Sequence, residues 1–271
     1  MNRVVEHCVG APVQYEELKH KPGRRLTLRA RGPRGSAIVK LYRSDRVSNV
    51  AERISALADG PGQPVLPKVL AVESADRMLV LSEVFGVSLR EAALAGDGGE
   101  CRRAGAVIAG WHRAWTGNQP PVLERHGIED ELTVLVDWAA LATREIGVRV
   151  AAAVPSVGGA WESVTVVHRD LYEEQVLLGD RVGLIDLDDV ALGPPELDVG
   201  NLIAHLDLLE LRAERGLTAA RIAFLEGYES VLGLDQGLLE RCRVLTRLRL
   251  ACIHAERRLL ETADGSVAVR V

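Results

Sequence analysis

The chain has 271 residues, 47% hydrophobic and 26% charged, a balance typical of a globular protein that buries a full core in one or two lobes. A formal net charge of −5 excludes a general attraction to nucleic acid or anionic membranes, so we expect neither as a partner. Four cysteines without a C-x-x-C pair, an N-terminus without a secretory signal and the lack of any long uncharged apolar stretch predict a cytoplasmic protein with idle thiols.

The first third of the chain is patterned mainly as strands. Alternating residues between Pro-Gly and Gly-Pro turns predict a three-strand meander over residues 13–19, 25–30 and 36–42. A helix is predicted over residues 49–58, because Val50, Ile54 and Leu57 share one face. Two further short strands, over residues 69–73 and 78–83, complete this region.

After Phe85-Gly86 the pattern becomes helical. Apolar residues at helical spacing predict helices over residues 89–95, 100–115, 131–152, 196–211, 218–231 and 236–262. A Pro- and Gly-containing stretch over residues 116–127 is the longest linker. We therefore place a boundary near Gly86 and expect two units, residues 1–85 and 86–271.

The segment from residue 166 to 188 carries the chemistry. A buried strand runs into a loop at His168-Arg169-Asp170, where Asp170 can accept a proton from a hydroxyl or amine, and Gln175 offers a neutral oxygen. A second apolar strand ends in Asp186, an anionic oxygen ligand of the kind Mg²⁺ prefers when it also holds substrate phosphates. This spacing makes a phosphoryl-transfer site possible.

The pattern of His168, Asp170, Gln175 and Asp186 resembles the aminoglycoside phosphotransferase branch of the protein-kinase-like superfamily. The resemblance implies an α+β, two-lobed fold, with a small antiparallel sheet and one helix followed by a larger, mainly helical lobe. It implies that Asp170 accepts the hydroxyl proton, that Gln175 and Asp186 hold Mg²⁺, and that His168 packs to shape the loop. Gln175 stands where an Asn is usual and adds a methylene, so the metal would sit differently or be held less tightly.

The same resemblance assigns further roles outside the catalytic loop. Lys40, on an otherwise apolar strand, would bind the α- and β-phosphates of ATP, and Glu52 would pair with it. Residues 82–86, with Glu83 and Phe85, would form a hinge that hydrogen-bonds adenine through the backbone. Asp198 lies in a Gly-Pro-Pro-Glu-Leu-Asp element and would hydrogen-bond the catalytic loop, the alternative being an ordinary acid at a helix N-terminus.

Two positions near the phosphates leave alternatives open. The turn over residues 19–25 has a single glycine, so backbone cradling by successive glycines is not indicated. Arg24 or Arg25 could contact phosphate there, because a guanidinium suits phosphate oxygens, or the turn is simply a solvated basic hairpin. Asp188 either reaches the metal through water or caps the following turn.

The functional prediction is an ATP- and Mg²⁺-dependent kinase that phosphorylates a hydroxyl of a small molecule: an aminoglycoside-like compound, a sugar or an amino alcohol. The short gap between Asp186 and Gly193 favours small acceptors over proteins. The alternative is a nucleotide-binding pseudokinase with a regulatory or scaffolding role. Acidic residues form either a cleft for a cationic aminoglycoside or a solvated helix face; they are Glu173, Glu174, Glu210, Glu214, Glu226 and Glu229.

Overall fold

The computed structural model of the protein describes residues 2–57, 63–157, 161 and 164–260. Within these ranges an antiparallel sheet precedes a mainly helical part, so the predicted α+β fold class is confirmed. The end of the helix predicted over residues 49–58, at Ala58, and the end of the one predicted over residues 236–262, at Thr262, lie outside the described residues.

The N-terminal part is one five-stranded sheet with a helix on each face. Its elements in order are α1 (Asn2–Val9), β1 (Gln14–Lys21), β2 (Arg25–Gly32), β3 (Gly35–Tyr42), α2 (Val47–Ala56), β4 (Val69–Glu73) and β5 (Met78–Ser82). The strand order is β1-β2-β3-β5-β4, and all neighbours are antiparallel. Lys40 therefore sits on the central strand, paired with Thr27 of β2 and Leu79 of β5.

Alternation along β3 decides which side chains reach the site. Ala37 and Val39 are buried against α1, whose Val5 and Val9 belong to the same apolar cluster. Because successive side chains of a strand point to opposite faces, Lys40 lies on the other face, toward α2 and the larger part of the molecule. The helix α1 was not predicted, since eight residues give too few turns to display a repeating stripe.

The C-terminal part combines helices with short strands around the catalytic segment. Its elements are β6 (Val87–Ser88), α3 (Leu89–Ala95), α4 (Gly98–Trp115), α5 (Ile128–Leu141), α6 (Arg144–Val157), β7 (Thr165–Val167), β8 (Val176–Leu178), β9 (Val182–Leu184), β10 (Ala191–Gly193), α7 (Pro195–Ala213), α8 (Thr218–Glu229) and α9 (Gln236–His254). The strands pair as β6-β8-β9 and as β7-β10. The division into two units near residue 85 stays a prediction.

Close helix packing supports the catalytic segment from below. A Cβ atom on Gly105 of α4 would lie 2.1 Å from the Phe224 carbonyl oxygen, and one on Gly227 of α8 would lie 2.0 Å from the Arg102 carbonyl oxygen. Only glycine allows the two backbones to approach this closely.

No helix in the described part of the chain has both the length and the apolarity needed to cross a bilayer.

Two predicted helices differ from those observed. The helix predicted over residues 131–152 is two helices, α5 and α6, separated at Ala142 and Thr143. Their apolar residues, among them Leu135 and Ile146, pack into one cluster, so periodicity did not reveal the break. The last predicted helix ends at His254, where Ala255 adopts a left-handed conformation with φ 51°.

Candidate active site

The loop between β7 and β8 carries the candidate catalytic residues. All three residues of β7 are buried, which fixes the point where the loop begins. His168 is fully buried, and its Nε2 donates to the Ile185 carbonyl oxygen at 2.8 Å. This bond joins the loop to the segment that carries Asp186, the contact that a structural role for His168 requires. Arg169 turns the chain with a left-handed φ of 70°.

Asp198, fully buried in the first turn of α7, organises the loop from below. Its Oδ2 accepts from the His168 backbone N–H at 2.6 Å, and its Oδ1 accepts from the Arg169 N–H at 2.8 Å. His112 Nε2 lies 3.1 Å from the same carboxylate, and His112 Nδ1 lies 2.7 Å from the Tyr228 hydroxyl. The expected contact between Asp198 and the loop is thus present, and it extends into the helical core.

Asp170 presents a carboxylate that no described group hydrogen-bonds. It lines two cavities of the site and lies beside the other acid of the segment, Asp186. Burial raises the pKa of Asp170; Arg249 and His168 oppose the shift, and Asp186 adds to it. An acid with a raised pKa and no hydrogen-bond donor on its oxygens is suited to accept a proton from a bound hydroxyl.

Asp186 follows β9 in a left-handed conformation and is bound by two cations. Its Oδ1 accepts from Lys40 Nζ at 2.7 Å and from Arg25 Nη1 at 2.9 Å, and its Oδ2 accepts from Arg25 Nη2 at 2.9 Å. Burial alone would raise the pKa of Asp186, but Lys40 and Arg25 together hold it well below the ordinary carboxyl range. Asp186 is therefore ionised across the physiological pH range.

Asp188 completes this network from the buried turn after Asp186. Its Oδ1 accepts from Lys40 Nζ at 2.6 Å, and its Oδ2 accepts from Arg25 and, at 2.9 Å, from the Tyr42 hydroxyl. Burial and the Asp188 charge raise the pKa of Tyr42 above its ordinary value, so this hydroxyl remains a donor. Asp188 thus contacts cationic side chains directly.

The predicted ion pair between Lys40 and Glu52 is not formed. Lys40 is only 4% exposed and binds Asp186 and Asp188, whereas Glu52 is exposed on α2. The inward face of α2 is taken by Val50 and Ile54, and helical geometry turns Glu52 away from that face. Asp188 occupies the partner position that the sequence pattern assigned to Glu52.

The donor set suits a divalent cation that keeps water and phosphate ligands. Gln175 is buried, and its Nε2 lies 3.5 Å from Asp186 Oδ2, so its amide oxygen would have to rotate toward the carboxylate to act as a ligand. Among the described residues no three His, Cys, Asp or Glu side chains form a metal cage. The two carboxylates, Asp186 and Asp188, already bind the positively charged Lys40 and Arg25. With one amide beside them they suit Mg²⁺, which keeps water and phosphate ligands, better than a metal that needs an all-protein cage.

Three cavities lie around the two carboxylates: one is lined by both Asp170 and Asp186, one by Asp170 alone and one by Asp186 alone. The interlobe cavity encloses about 230 Å³ between the sheet and the catalytic segment, and its lining includes Ile38, Lys40, Leu81, Gln175, Ile185 and Asp186. The hairpin cavity, of about 520 Å³, lies beside the turn between β1 and β2 and reaches both carboxylates. The helix-side cavity, of about 370 Å³, lies against α7 and α9 and contains Asp170.

Of the remaining predicted residues, Arg24 lines the hairpin cavity, whereas Glu83 and Phe85 line none of the three cavities. Arg24 is exposed and lines the hairpin cavity without an ion-pair partner in the described ranges, whereas Arg25 reaches Asp186. Glu83 binds Arg29 at 2.6 Å, and the Phe85 side chain is 70% exposed.

Sequence reasoning missed several side chains that shape the site. Tyr42 is two positions after Lys40, so strand alternation already places the two on one face and could have revealed it. Arg249 of α9 lowers the pKa of Asp170 through its positive charge, and it binds Glu131 at 3.2 Å. More than seventy positions along the chain separate it from the catalytic loop. No local pattern signals such a contact.

Comparison with known proteins identifies a family for most of the chain. The model of the family described as "Phosphotransferase enzyme family" matches residues 24–242, which include every residue of the site described above except Arg249. No curated protein sequence matches the chain significantly.

Solved structures share the fold at low identity. Amicoumacin kinase hAmiN, in complex with AMP-PNP, Ca²⁺ and Ami, is 17% identical with a TM-score of 0.68, covering 94% of this chain and 85% of its own. Aminoglycoside phosphotransferase APH(3'')-Id from Streptomyces rimosus is 21% identical with a TM-score of 0.68, at 93% and 96% coverage. A choline/ethanolamine kinase family protein from Mesorhizobium loti is 14% identical with a TM-score of 0.64, at 93% and 90% coverage.

Proposed function

Since the chain belongs to the phosphotransferase enzyme family, we propose that it transfers the γ-phosphoryl group of Mg²⁺-bound ATP to a hydroxyl of a small molecule. The observation that carries this proposal is the meeting of three cavities at Asp170 and Asp186. One cavity can hold a nucleotide, another an acceptor, and the two carboxylates lie between them.

Asp170 is the proposed proton acceptor. As the acceptor oxygen forms its bond to the γ-phosphorus, the bond from that phosphorus to the bridging oxygen breaks and ADP leaves. The hydroxyl proton passes to Asp170, whose carboxylate has no competing donor in the described structure, and is later released to solvent. Because the transition state is loose, positioning the hydroxyl contributes more than the basicity of the carboxylate.

Lys40, Asp186 and Gln175 are the proposed phosphate and metal residues. Asp186 and Gln175, with Asp188 nearby, would hold Mg²⁺, which neutralises charge on the phosphates. With the metal bound, Lys40 and Arg25 would no longer be needed by the carboxylates and could donate to phosphate oxygens at the same edge of the interlobe cavity. His168 and Asp198 hold the loop in shape, and the backbone of residues 83–85 would receive the base.

The ligands of the similar structures agree with a nucleotide-dependent reaction. Amicoumacin kinase was solved with AMP-PNP and Ca²⁺, and the Streptomyces rimosus enzyme was also solved with ADP and streptomycin. A second candidate, a nucleotide-binding pseudokinase, is favoured by one observation: Arg25 and Lys40 occupy both oxygens of Asp186, which closes the metal position.

An acceptor screen with the purified protein tests the proposal. ATP consumption with Mg²⁺ is measured across aminoglycosides, sugars, amino alcohols, macrolides and hydroxy acids, beside the thermal shift produced by ATP. We expect stabilisation by MgATP together with ATP consumption that depends on one acceptor class. Stabilisation without turnover on any acceptor would favour the pseudokinase, and no nucleotide effect at all would contradict both functions.

A further inference from the structure

The helix-side cavity is the side of Asp170 on which an acceptor can bind. Its lining contains Asp170 but none of Lys40, Gln175 and Asp186, which line the interlobe cavity instead. The two cavities adjoin at Lys19, Tyr172 and Glu174, so a molecule in the helix-side cavity can present a hydroxyl to Asp170 beside the proposed nucleotide. The character of this cavity indicates which acceptors fit.

One wall of the cavity is apolar. It consists of Leu208 and Leu209 from α7 and Leu250 and Ile253 from α9. Beside it the rings of Tyr172 and His205 stack, with centroids 4.9 Å apart and planes 22° apart. Burial lowers the pKa of His205 to about 3, so this ring is neutral at physiological pH and adds to the apolar surface. The three leucines are 2–4% exposed, whereas Ile253 is 38% exposed. Ile253 and the two rings therefore offer most of the apolar surface on which a hydrocarbon or aromatic group can pack.

The charged residues of the cavity are mostly basic. Its lining has five Lys and Arg side chains, Lys19, Lys21, Arg90, Arg212 and Arg249, against three acidic ones, Asp170, Glu173 and Glu174. Burial raises the pKa of Glu173 to about 7, so this acid is only partly charged at neutral pH. Arg90 lies 3.5 Å from Glu173 and 3.7 Å from Glu174, which further offsets their charge.

Three of the basic side chains form no ion pair in the described ranges, and one of them, Lys19, donates to the Tyr172 hydroxyl at 3.4 Å. Arg212 at the end of α7 and Lys21 at the end of β1 are exposed at the rim, and neither forms an ion pair with any described residue. By contrast, Arg249 is held by Glu131 and by Asn201 Oδ1 at 2.6 Å. At longer range Arg212 lowers the pKa of Glu256 and Lys21 lowers that of Asp170. No ion pair restrains either side chain, so both can reach an anionic group on a ligand.

The acidic cleft considered from the sequence is not assembled in the described structure. Glu210 binds Arg221, Glu226 binds Arg102, and Glu229 accepts from Gln236. These acids and Glu214 are all absent from the lining of the helix-side cavity. Only Glu173 and Glu174 of the predicted set face it, and Arg90 neutralises them in part.

We propose that the acceptor is a hydroxyl compound carrying a carboxylate and an apolar group, and that polycationic amino sugars are disfavoured. The carboxylate binds at Arg212, the apolar group packs on Ile253 and the two rings, and the hydroxyl lies at Asp170. This inference rests on the proposed function, which makes the helix-side cavity the acceptor site. The claim itself concerns only which compounds bind there.

Three matched probes test the charge preference directly. The probes are 3-phenyllactate, 3-phenylpropane-1,2-diol and phenylalaninol, which share a phenyl group and a hydroxyl but are anionic, neutral and cationic. Their affinities for the nucleotide-free wild-type protein are measured by ligand-observed NMR titration at low salt. We expect 3-phenyllactate to bind at least fivefold more tightly than phenylalaninol, with the diol between them.

Reversing the charge of Arg212 at the rim tests whether this residue causes the preference for the anionic probe. Arg212→Glu should invert the order of the acid and the amine, whereas Arg215→Glu, an exposed position three residues further along and outside the cavity lining, should preserve it. Equal affinities, tighter binding of phenylalaninol, no binding of any probe, or the same change in both variants would overturn the inference. None of these results bears on ATP consumption, which tests the proposed function separately.

Discussion

The two sides of Asp170 are built on different principles. On the interlobe side the charges are paired: Lys40 and Arg25 bind Asp186 and Asp188, and these contacts are largely buried. On the helix side Arg212 and Lys21 have no ion-pair partner in the described ranges. We expect the paired, buried groups to position the nucleotide and metal, and the unpaired groups at the rim to discriminate between acceptors.

The largest effect is expected on the paired side, at Asp186. Asp186→Asn removes the charge that would hold Mg²⁺ and that binds Lys40 and Arg25. Turnover at saturating ATP should fall by about 10²- to 10³-fold, the scale observed when one group that stabilises transition-state charge is removed. The measurement is kcat with the best acceptor of the screen.

Asp189 provides the matched control for that substitution. Its side chain is half exposed and binds Arg46 at the edge of the hairpin cavity. Asp189→Asn should change kcat by no more than about threefold, because exposed ion pairs contribute little. Equal losses in the two variants would show that general charge, rather than the position of Asp186, matters.

The next effect is a loss of stability when Asp198, which anchors the catalytic loop, is substituted. Asp198→Asn replaces a buried carboxylate that accepts two backbone N–H bonds by an amide that can accept at only one atom. The free energy of unfolding should fall by about 2–3 kcal/mol, since a buried donor is left without its partner. Urea denaturation measures this, and Asp137→Asn, an exposed acid on α5, should change it by less than about 0.5 kcal/mol. A loss for Asp198→Asn as small as the control's would contradict the anchoring role.

A smaller effect should appear on the helix side, at Glu173. Burial raises its pKa from an ordinary 4.5 to about 7 in the folded protein, so the folded state binds more protons between these pH values. Stability from this residue is therefore present below pH 4.5 and lost as the pH rises through about 7, by about 3 kcal/mol in all. Glu173→Gln should flatten the change in unfolding free energy between pH 5 and pH 8.

The neighbouring acid Glu174 is the control for this pH dependence. Its side chain is about half exposed, at 52%. Glu174→Gln should retain most of the wild-type slope of unfolding free energy against pH, because burial raises the pKa of Glu173 more than the neighbouring Glu174 charge does. If both variants kept that slope, the burial of Glu173 would not be the source of the pH dependence.

The smallest expected effect is a difference in Mg²⁺ requirement between variants of two adjacent arginines. Arg25 binds both oxygens of Asp186, whereas Arg24 is exposed and unpaired within the described structure. Arg25→Ala removes a competitor for the metal ligands and should lower the half-saturating Mg²⁺ concentration about fivefold, as about 1 kcal/mol implies. Arg24→Ala should leave it unchanged, in Mg²⁺ titrations of activity at saturating ATP. A higher Mg²⁺ requirement in Arg25→Ala would contradict competition.

The sequence predicted those parts of the molecule that depend on local pattern. Alternation located the five strands of the sheet and the buried strand before His168, and spacing selected Asp170, Gln175 and Asp186. The loop contact of Asp198 was also anticipated and is present.

Features that depend on tertiary contacts were not predictable in this way. The Lys40–Glu52 pair depended on how α2 is rotated, and the observed rotation exposes Glu52. Arg249 reaches the site only because α9 packs beside α7, and the break between α5 and α6 leaves the apolar stripe uninterrupted. Periodicity describes one element at a time and does not say which elements meet.

The most direct test of the central claim is a comparison of nucleotide affinity and turnover in wild type and Asp170→Asn. Asp170 lies between the cavities and is outside the lining of the interlobe cavity, so removing its charge should spare nucleotide binding. The account predicts an AMP-PNP affinity within about twofold of wild type and a loss of turnover of at least about 10²-fold, the contribution of a positioned proton acceptor. Turnover equal to wild type, or a loss of turnover explained by lost nucleotide binding, would contradict it.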